Sequence, residues 1–245
     1  MEFSPDEVER YARHLVLSEI GGPGQQRLAA STVAVIGAGG VGSPAAMYLA
    51  AAGVGAIRVI DPDTVSLSNL QRQILFAATD VGRPKVAVAA GRLTALNSHV
   101  RIEPVAQALS PANAAALIAG ADVVLDGTDD FTVRHAVNAA SVAAGIPLVS
   151  GALGRWNGQV GVFTGRPCYR CLVPDLPPDA ETCARVGVVG ALAGVIGSMA
   201  ALEAIKLITG AGEPLTGRLL LYDGLSATSR TVAVTADSAC AVCGE

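Results

Sequence analysis

The chain has 245 residues, of which 51% are hydrophobic and 16% are charged, and its formal net charge is −4. Such a length can bury a substantial core in one large α/β domain or two small ones, and the composition excludes extended disorder. Lysine and arginine are scattered, so we expect no nucleic-acid surface. Residues 1–14 are acidic and amphipathic and lack the pattern of a signal peptide. The sequence therefore predicts a cytoplasmic globular protein.

The first predicted strand, residues 33–36, runs directly into glycines with the spacing G-x-G-x-x-G. Gly37 would permit a tight turn, Gly39 a close approach of backbone to phosphate, and Gly42 close packing of a helix on the strand. The helix predicted over residues 44–52 would direct its N-terminal amides and dipole toward an anion. This pattern indicates a nucleotide-binding turn.

A second predicted strand, residues 57–60, ends at Asp61, 24 positions after Gly37. A carboxylate about 20 residues beyond such a turn grips ribose hydroxyls. The glycines alone would also fit hydride transfer with a nicotinamide cofactor. Asn69, Arg72 and Lys85 follow, however, and supply the cationic and polar groups that a triphosphate needs. Unless these side chains lie on a solvated surface loop, they favour ATP.

Strands and helices alternate through the next part of the chain, as in a parallel sheet with helices on both faces. The pattern predicts a doubly wound, Rossmann-like α/β fold with ligands at the carboxyl ends of the strands, where Asp61 and Asp129 both lie. The predicted helices cover residues 85–96, 111–119 and 131–144, and the predicted strands cover residues 101–105, 122–125 and 147–150.

The last third of the chain has a different pattern. Predicted strands at residues 159–164, 218–222 and 230–234 have few helices between them and indicate an antiparallel extension of the sheet. The apolar run 186–202 is interrupted by glycines and is short for a membrane span of about 20 residues, so we expect no membrane contact. We expect residues 188–208 to form a buried core helix instead.

Neither a linker nor an internal repeat divides the chain. We therefore expect a single domain over residues 1–245. Its nucleotide-binding half would cover about residues 30–150, and its second half about residues 151–245. The proline-rich, acidic segment 174–181 is expected to be a mobile crossover.

Two C-x-x-C pairs, Cys168 with Cys171 and Cys240 with Cys243, offer four thiolates for a tetrahedral zinc ion. The 68 residues between the pairs are many for a zinc ribbon, so the fold itself would have to bring the C-terminus back. Disulfides are the competing explanation, but they are rare in cytosolic proteins. We therefore expect a structural zinc knuckle.

Together these motifs resemble the MoeB/ThiF family, the bacterial relatives of ubiquitin-activating enzymes. Among its branches the chain is most similar to the molybdopterin-synthase adenylyltransferases. The string SLSNLQRQ carries far more of this resemblance than the glycines do. The matching segments are RYARHLVLSEIGGPGQQRL (residues 10–28), GAGGVGSP, DPDTVSLSNLQRQ, GRPK, LDGTDD, CYRCL, TCARVGVVG and CAVC.

The resemblance implies ATP-dependent adenylation of the C-terminal Gly-Gly carboxylate of a ubiquitin-like, β-grasp sulfur-carrier protein. Pyrophosphate would leave, and sulfur would later displace AMP to give a thiocarboxylate. Carriers of molybdenum-cofactor, thiamine or cysteine biosynthesis would present similar tails. Because no rhodanese-like domain follows Glu245, we expect a separate sulfur donor, either a rhodanese-like protein or a cysteine desulfurase. A homodimer is implied as well.

The family also implies residue roles at matching positions. Where the family usually has asparagine after its magnesium ligand, this chain has Asp130. This carboxylate would either contact the metal through one of its ligands or form a helix N-cap. Cys183 matches a cysteine that forms a thioester or acyl-persulfide in some members, and a partly buried free thiol is the alternative. The implied contacts are Gly40 to phosphate, Asp61 to ribose, Asn69, Arg72 and Lys85 to the triphosphate, Asp129 to Mg²⁺, and Arg13 to the partner subunit's nucleotide.

Three other hypotheses for the function remain open from the sequence. A nicotinamide-dependent oxidoreductase would explain the glycine turn alone. A non-catalytic scaffold that binds a carrier protein would need no triphosphate clamp, so Asn69, Arg72, Lys85 and Asp129 argue against it. A branch that modifies tRNA shares the nucleotide fold, but the paired cysteines favour the carrier-activating branch.

Overall fold

A computed structural model of the chain describes residues 3–175 and 187–244. Strands and helices alternate from β1 to β5, as the sequence predicts. The strands are β1 (Thr32–Ile36), β2 (Ala56–Ile60), β3 (Arg101–Val105), β4 (Val123–Asp126), β5 (Leu148–Gly154), β6 (Asn157–Phe163), β7 (Arg218–Asp223) and β8 (Thr228–Ala233). The helices are α1 (Pro5–Arg10), α2 (Ala12–Leu15), α3 (Gly21–Ala30), α4 (Gly42–Ala52), α5 (Lys85–Leu96), α6 (Ala114–Ile118), α7 (Phe131–Ala144), α8 (Tyr169–Leu172) and α9 (Gly190–Thr209).

All eight strands belong to one sheet with the order β3-β2-β1-β4-β5-β6-β7-β8. Strands β1 to β5 pair in parallel, whereas β6, β7 and β8 pair antiparallel. This confirms the predicted doubly wound, mostly parallel sheet with an antiparallel extension. The chain moves outward from β1 to β3 and then returns to β4 on the other side of β1. The carboxyl ends of β1 and β4 therefore flank a topological switch point.

Alternate side chains of the central strands enter two separate cores, because successive residues of a strand point to opposite faces. On one face, Val33 and Val35 of β1 pack with buried residues of α4, α5 and α9. On the other face, Ala34 and Ile36 pack with residues of α6 and α7. Burial on both faces explains why these strands are continuous apolar runs in the sequence.

Two elements differ from their sequence-based bounds by more than two residues at one end. Strand β5 runs on through Gly154 and forms a hairpin with β6 across Arg155 and Trp156, where Arg155 has a φ of 53°. The helix expected over residues 111–119 begins only at Ala114, because the Asn113 carboxamide accepts the N–H of Ser110 at 2.8 Å. Such local side-chain bonds compete with helix formation.

Helix α9 is long and apolar enough, by length and composition alone, to cross a bilayer. In the fold it packs against α3, α4, β5 and β6, as expected for a helix that covers the sheet. A Cβ on Gly197 would lie 2.5 Å from both Pro44 Cγ and the Val41 carbonyl oxygen, so glycine is needed for this close contact with α4. Of the predicted crossover, residues 176–181 lie outside the described part of the chain.

Candidate active site

A pocket of about 540 Å³ opens at the carboxyl ends of β1, β2 and β4, beside the switch point of the sheet. Ligands of open α/β sheets bind in this position. Most residues that the sequence predicts to bind nucleotide line this single pocket. They are Gly37, Gly39, Gly40, Asp61, Asn69, Arg72, Lys85 and Asp129.

The glycine turn after β1 has a backbone that a larger residue would strain. Gly37 has a φ of 85°, in the left-handed region, and its N–H donates to the Ile60 carbonyl at 2.8 Å. A Cβ on Gly42 would lie 1.8 Å from the Gly37 carbonyl oxygen. Gly42 therefore sets how closely α4 packs on the turn, and it does not line the pocket.

Asp61 lies at the end of β2 and is only 5% exposed. Its Oδ2 accepts the N–H of Ala38 at 2.8 Å and lies 3.6 Å from Lys85 Nζ, while its Oδ1 accepts the N–H of Asp63 at 2.8 Å. Lys85 Nζ also donates to Asp63 Oδ2 at 2.8 Å. Burial raises the pKa of Asp61, and the Lys85 charge and the two N–H donors oppose that rise. Asp61 and Lys85 thus form a buried ion pair in the pocket wall.

Arg72 and Asn69 lie next to the glycine turn. The Cγ and Cδ atoms of Arg72 are 3.7 Å from the position that a Cβ on Gly40 would take. Its guanidinium donates to the Ser68 carbonyl at 3.1 Å, and Asn69 Oδ1 accepts the N–H of Ser66 at 3.3 Å. The planar fork of Arg72 is therefore a neighbour of a glycine backbone, an arrangement that suits phosphate oxygens.

The end of β4 and the loop that follows it carry three carboxylates in different environments. Asp126 is 1% exposed, and its Oδ1 accepts both the N–H and the hydroxyl of Thr128, at 2.9 and 2.7 Å. Asp130 is the N-cap of α7, since it accepts two N–H groups of the first turn at 2.7 and 3.3 Å. The N-cap alternative for Asp130 is therefore confirmed. Asp129 is exposed and lines the pocket, where a carboxylate could meet a cation.

Arg134 is a pocket residue that the sequence analysis missed. It is 3% exposed and donates to Ser150 Oγ at 2.9 Å, to the Gly151 carbonyl at 2.7 Å and to the Thr128 carbonyl. One guanidinium nitrogen lies 3.8 Å from Asp126 Oδ2. Burial disfavours the charged form, but the Asp126 carboxylate, Tyr169 and the Asp129 carboxylate together outweigh it and raise the pKa of Arg134 above its ordinary value. A single arginine on an amphipathic helix gives no sequence signal for such a position.

Gln73 was also missed, although it lies in the SLSNLQRQ string. It lines the pocket, is 4% exposed, and its Oε1 has no hydrogen-bond partner among the described residues. A buried polar atom without a partner is costly, so a ligand that donates to Oε1 would stabilise the site. Apolar side chains form another part of the wall and suit a purine base: Ile36, Ile60, Leu109, Phe131 and Val133.

One predicted catalytic residue, Arg13, does not line this pocket among the described residues of a single chain. It is exposed on α2, a short helix that packs against α3. Its assigned role requires a partner copy, so it stays a prediction. Cys183 lies outside the described residues, and its role stays a prediction as well.

The two C-x-x-C pairs meet in space, so the fold does bring the C-terminus back. The four Sγ atoms lie within 4.8 Å of one another, with Cys168 to Cys240 at 3.7 Å and Cys171 to Cys243 at 3.4 Å. A disulfide needs about 2.0 Å, so these four are thiols. Tetrahedral zinc with Zn–S bonds of about 2.3 Å requires sulfur separations of about 3.8 Å. The cluster therefore fits one zinc ion.

The chemistry of the cluster agrees with that geometry. Burial works against ionisation of Cys240, but N–H donors of Cys243 and Val242 outweigh it and lower the pKa of Cys240 to about 7. Burial raises the pKa of Cys168. Four thiols crowded together without a cation favour the neutral form, whereas a bound metal would hold them as thiolates.

A doubly wound α/β sheet with a glycine turn and a pocket at its switch point defines a class of nucleotide-binding proteins, and the four-cysteine cluster could hold a metal ion. The chain belongs to the ThiF family, whose model matches residues 11–242.

A sulfur carrier protein adenylyltransferase of Thermus thermophilus is 45% identical, over 100% of this chain and 94% of its own length. A molybdopterin-synthase adenylyltransferase of Escherichia coli is 47% identical, over 100% of this chain and 99% of its own. A solved structure of E. coli MccB has a TM-score of 0.85, at 24% identity, over 96% of this chain and 72% of that one. This last likeness supports the fold alone.

Proposed function

We propose that this protein uses ATP to adenylate the C-terminal carboxylate of a ubiquitin-like sulfur-carrier protein. One observation carries the proposal: Arg72, Lys85 and Asp129 line the same pocket as the glycine turn. A hydride-transfer site would not need this cationic and acidic set, and a scaffold would not need it either. The names of the two similar bacterial enzymes agree with this choice.

The proposed step joins one carboxylate oxygen of the carrier to the α-phosphorus of ATP. The bond between that phosphorus and the bridging oxygen breaks, and pyrophosphate leaves with the bonding electrons. A C-terminal carboxyl group has a pKa of about 3.5, so it is ionised at neutral pH and needs no general base. Catalysis therefore rests on positioning the two reactants and on cations that follow the developing charge. A donor persulfide would later displace AMP from the carrier carbonyl to give an acyl disulfide. A thiol would then cleave its S–S bond, so that the carrier keeps a thiocarboxylate and the donor sulfur and the thiol form a disulfide.

Each pocket residue then has a proposed role. Lys85 would meet the α-phosphate, and Arg72 with Asn69 would bind the β- and γ-phosphates beside the Gly40 amide. Asp61 would accept hydrogen bonds from the ribose hydroxyls. Mg²⁺, when bound, neutralises phosphate charge.

Asp129 would hold that Mg²⁺, together with phosphate oxygens and water, a ligand set that suits this hard ion. Asp129 and Asp130 are both exposed and line the pocket, but Asp130 is engaged as the N-cap of α7, and Asp126 is buried and bonded to Thr128. The family's magnesium role therefore fits Asp129 best among the three.

A second cleft, of about 590 Å³, provides a path for the carrier tail. It lies on β5 to β8 and shares Ala152 and Leu153 with the nucleotide pocket. An extended tail laid along this cleft would bring its terminal carboxylate to the phosphate end of the pocket. Two terminal glycines would suit such a path, because they carry no side chains to collide with the strands.

The four-cysteine cluster is proposed to hold zinc as a structural ion. Bound there, zinc would fix the C-terminal residues against α8. It would thereby close the long loop between the two cysteine pairs. We also propose a homodimer in which Arg13 reaches the partner's nucleotide. The sulfur would come from a rhodanese-like protein or a cysteine desulfurase.

Mass spectrometry tests the central claim. Each candidate carrier, with an intact Gly-Gly end, is incubated with the protein, Mg²⁺ and ATP, and the expected product is the carrier adenylate. Labelled pyrophosphate should exchange into ATP only when that carrier is present. The matched control is the same carrier lacking its last glycine. If no carrier supports exchange and NADH binds in place of ATP, the proposal of an adenylyltransferase is wrong and the oxidoreductase hypothesis replaces it.

A further inference from the structure

Helix α7 joins the nucleotide pocket to the cysteine cluster. Its residue Arg134 bonds to the two chain segments that border Asp129 and Ala152, through the carbonyls of Thr128 and Gly151. One turn later, Asn138 lies on the same face of the helix, four residues from Arg134. The first of these residues belongs to the pocket, and the second belongs to the cluster.

Asn138 is fully buried and uses both ends of its carboxamide on the first C-x-x-C turn. Its Nδ2 donates to Cys168 Sγ at 3.4 Å, and its Oδ1 accepts the N–H of Tyr169 at 2.8 Å. The Tyr169 ring returns toward the pocket, since Arg134 Cζ lies 5.8 Å from its centroid. Asn138, Tyr169 and Arg134 thus connect Cys168 to the Asp129 loop through a chain of buried contacts.

We infer that Arg134 is a positioning residue that couples the metal in the cysteine cluster to the Mg·ATP site. This inference deepens the proposed function and rests on it. Zinc would hold Cys168 and thereby fix Asn138 and Tyr169. These two residues would fix the Arg134 fork, and the fork would hold the loop that presents Asp129 to the nucleotide.

The geometry of the guanidinium explains why arginine is required. Arg134 serves three acceptors, namely Ser150 Oγ and two carbonyls, beside the Asp126 carboxylate. A lysine at this position would keep the charge but could not reach the same acceptors as a planar fork does. Arg134→Lys should therefore release the Asp129 loop while it leaves the net charge unchanged.

Thermodynamic linkage makes the coupling measurable from either site. If zinc tightens the binding of Mg·ATP, then Mg·ATP must tighten the binding of zinc by the same factor. The experiment measures the zinc affinity of the full-length protein by equilibrium competition with a chelator, with and without saturating Mg·ATP. Wild type should show an increase of about fivefold or more, and Arg134→Lys should show a ratio of about one.

Matched variants separate coupling from general damage. Arg58→Lys removes a comparable fork near the β3 edge of the sheet, and this variant should keep the wild-type ratio. The Arg58 fork bonds to Glu103 of β3 and to the Leu117 and Ala119 carbonyls at the end of α6. If Arg134→Lys fails to fold, Tyr169→Leu tests the same chain of contacts at the residue next to Cys168.

A wild-type ratio of one would overturn the inference, and so would an unchanged ratio in Arg134→Lys or Tyr169→Leu. Because the measurement uses no carrier protein, a failure of carrier adenylation would leave its outcome intact. The two proposals can therefore fail separately.

Discussion

Replacing Lys85 with methionine separates the catalytic role of this residue from its structural role. The Lys85 side chain is 6% exposed, so methionine can fill the space of its stem without the charge. Asp61, which is equally buried, then loses its cation but keeps the N–H donors of Ala38 and Asp63. Breaking a buried pair costs about 3–5 kcal/mol when the remaining charge is uncompensated. With two donors retained, we expect a loss of about 1–3 kcal/mol.

That loss should depend on pH, with a definite sign. Burial raises the pKa of Asp61 above 3.8, and Lys85 opposes the rise, so removing Lys85 raises this pKa further. When the pKa of a carboxyl group is higher in the folded state than in the unfolded state, the protein is most stable below the unfolded-state pKa. It loses that stability as the pH rises through the folded-state pKa. The difference in the free energy of unfolding between wild type and Lys85→Met should therefore be small near pH 4 and grow toward neutral pH.

Two assays check this reasoning. Urea unfolding without nucleotide, at about pH 5 and about pH 8, gives the free energy of unfolding. Pyrophosphate exchange with a carrier should fall about 10²–10³-fold, the effect of removing one transition-state donor. The double variant Lys85→Met with Asp61→Asn should recover much of the lost stability at the higher pH, but not the exchange. A double variant as unstable as Lys85→Met would refute the buried-charge argument, and near-normal exchange would refute the catalytic one.

Four further outcomes are expected. Mixed subunits of Arg13→Ala and Lys85→Met, each inactive alone, should regain about a quarter of wild-type exchange, whereas no recovery would exclude a shared site. Asp129→Asn should raise the Mg²⁺ concentration needed for exchange more than it changes the apparent ATP affinity. Cys240→Ser should lower zinc below one ion per chain and reduce thermal stability. Cys183→Ala should retain adenylation but slow thiocarboxylate formation, and loss of adenylation itself would contradict that role.

Much of the fold was predictable because its signals are local. An apolar run predicts a strand buried on both faces, and the helix after it has its own period. The hairpin between β5 and β6 was harder to predict from the sequence. Strand β5 continues through Gly151 and Gly154, which carry no side chain to mark the pattern, and its turn places Arg155 at a positive φ. Only pairing with β6 reveals it as a strand.

The sequence by itself determined the nucleotide turn, the acidic residue that follows it and the two cysteine pairs. These features depend on backbone freedom and on residue chemistry at short spacing, which a chain carries wherever it folds. Tertiary structure decided that Cys168 meets Cys240, that Asp129 lines the same pocket as the glycine turn, and that Arg134 is buried between pocket and cluster. These contacts join residues that lie far apart in the sequence and that no repeating pattern relates. They therefore form only once the core has packed.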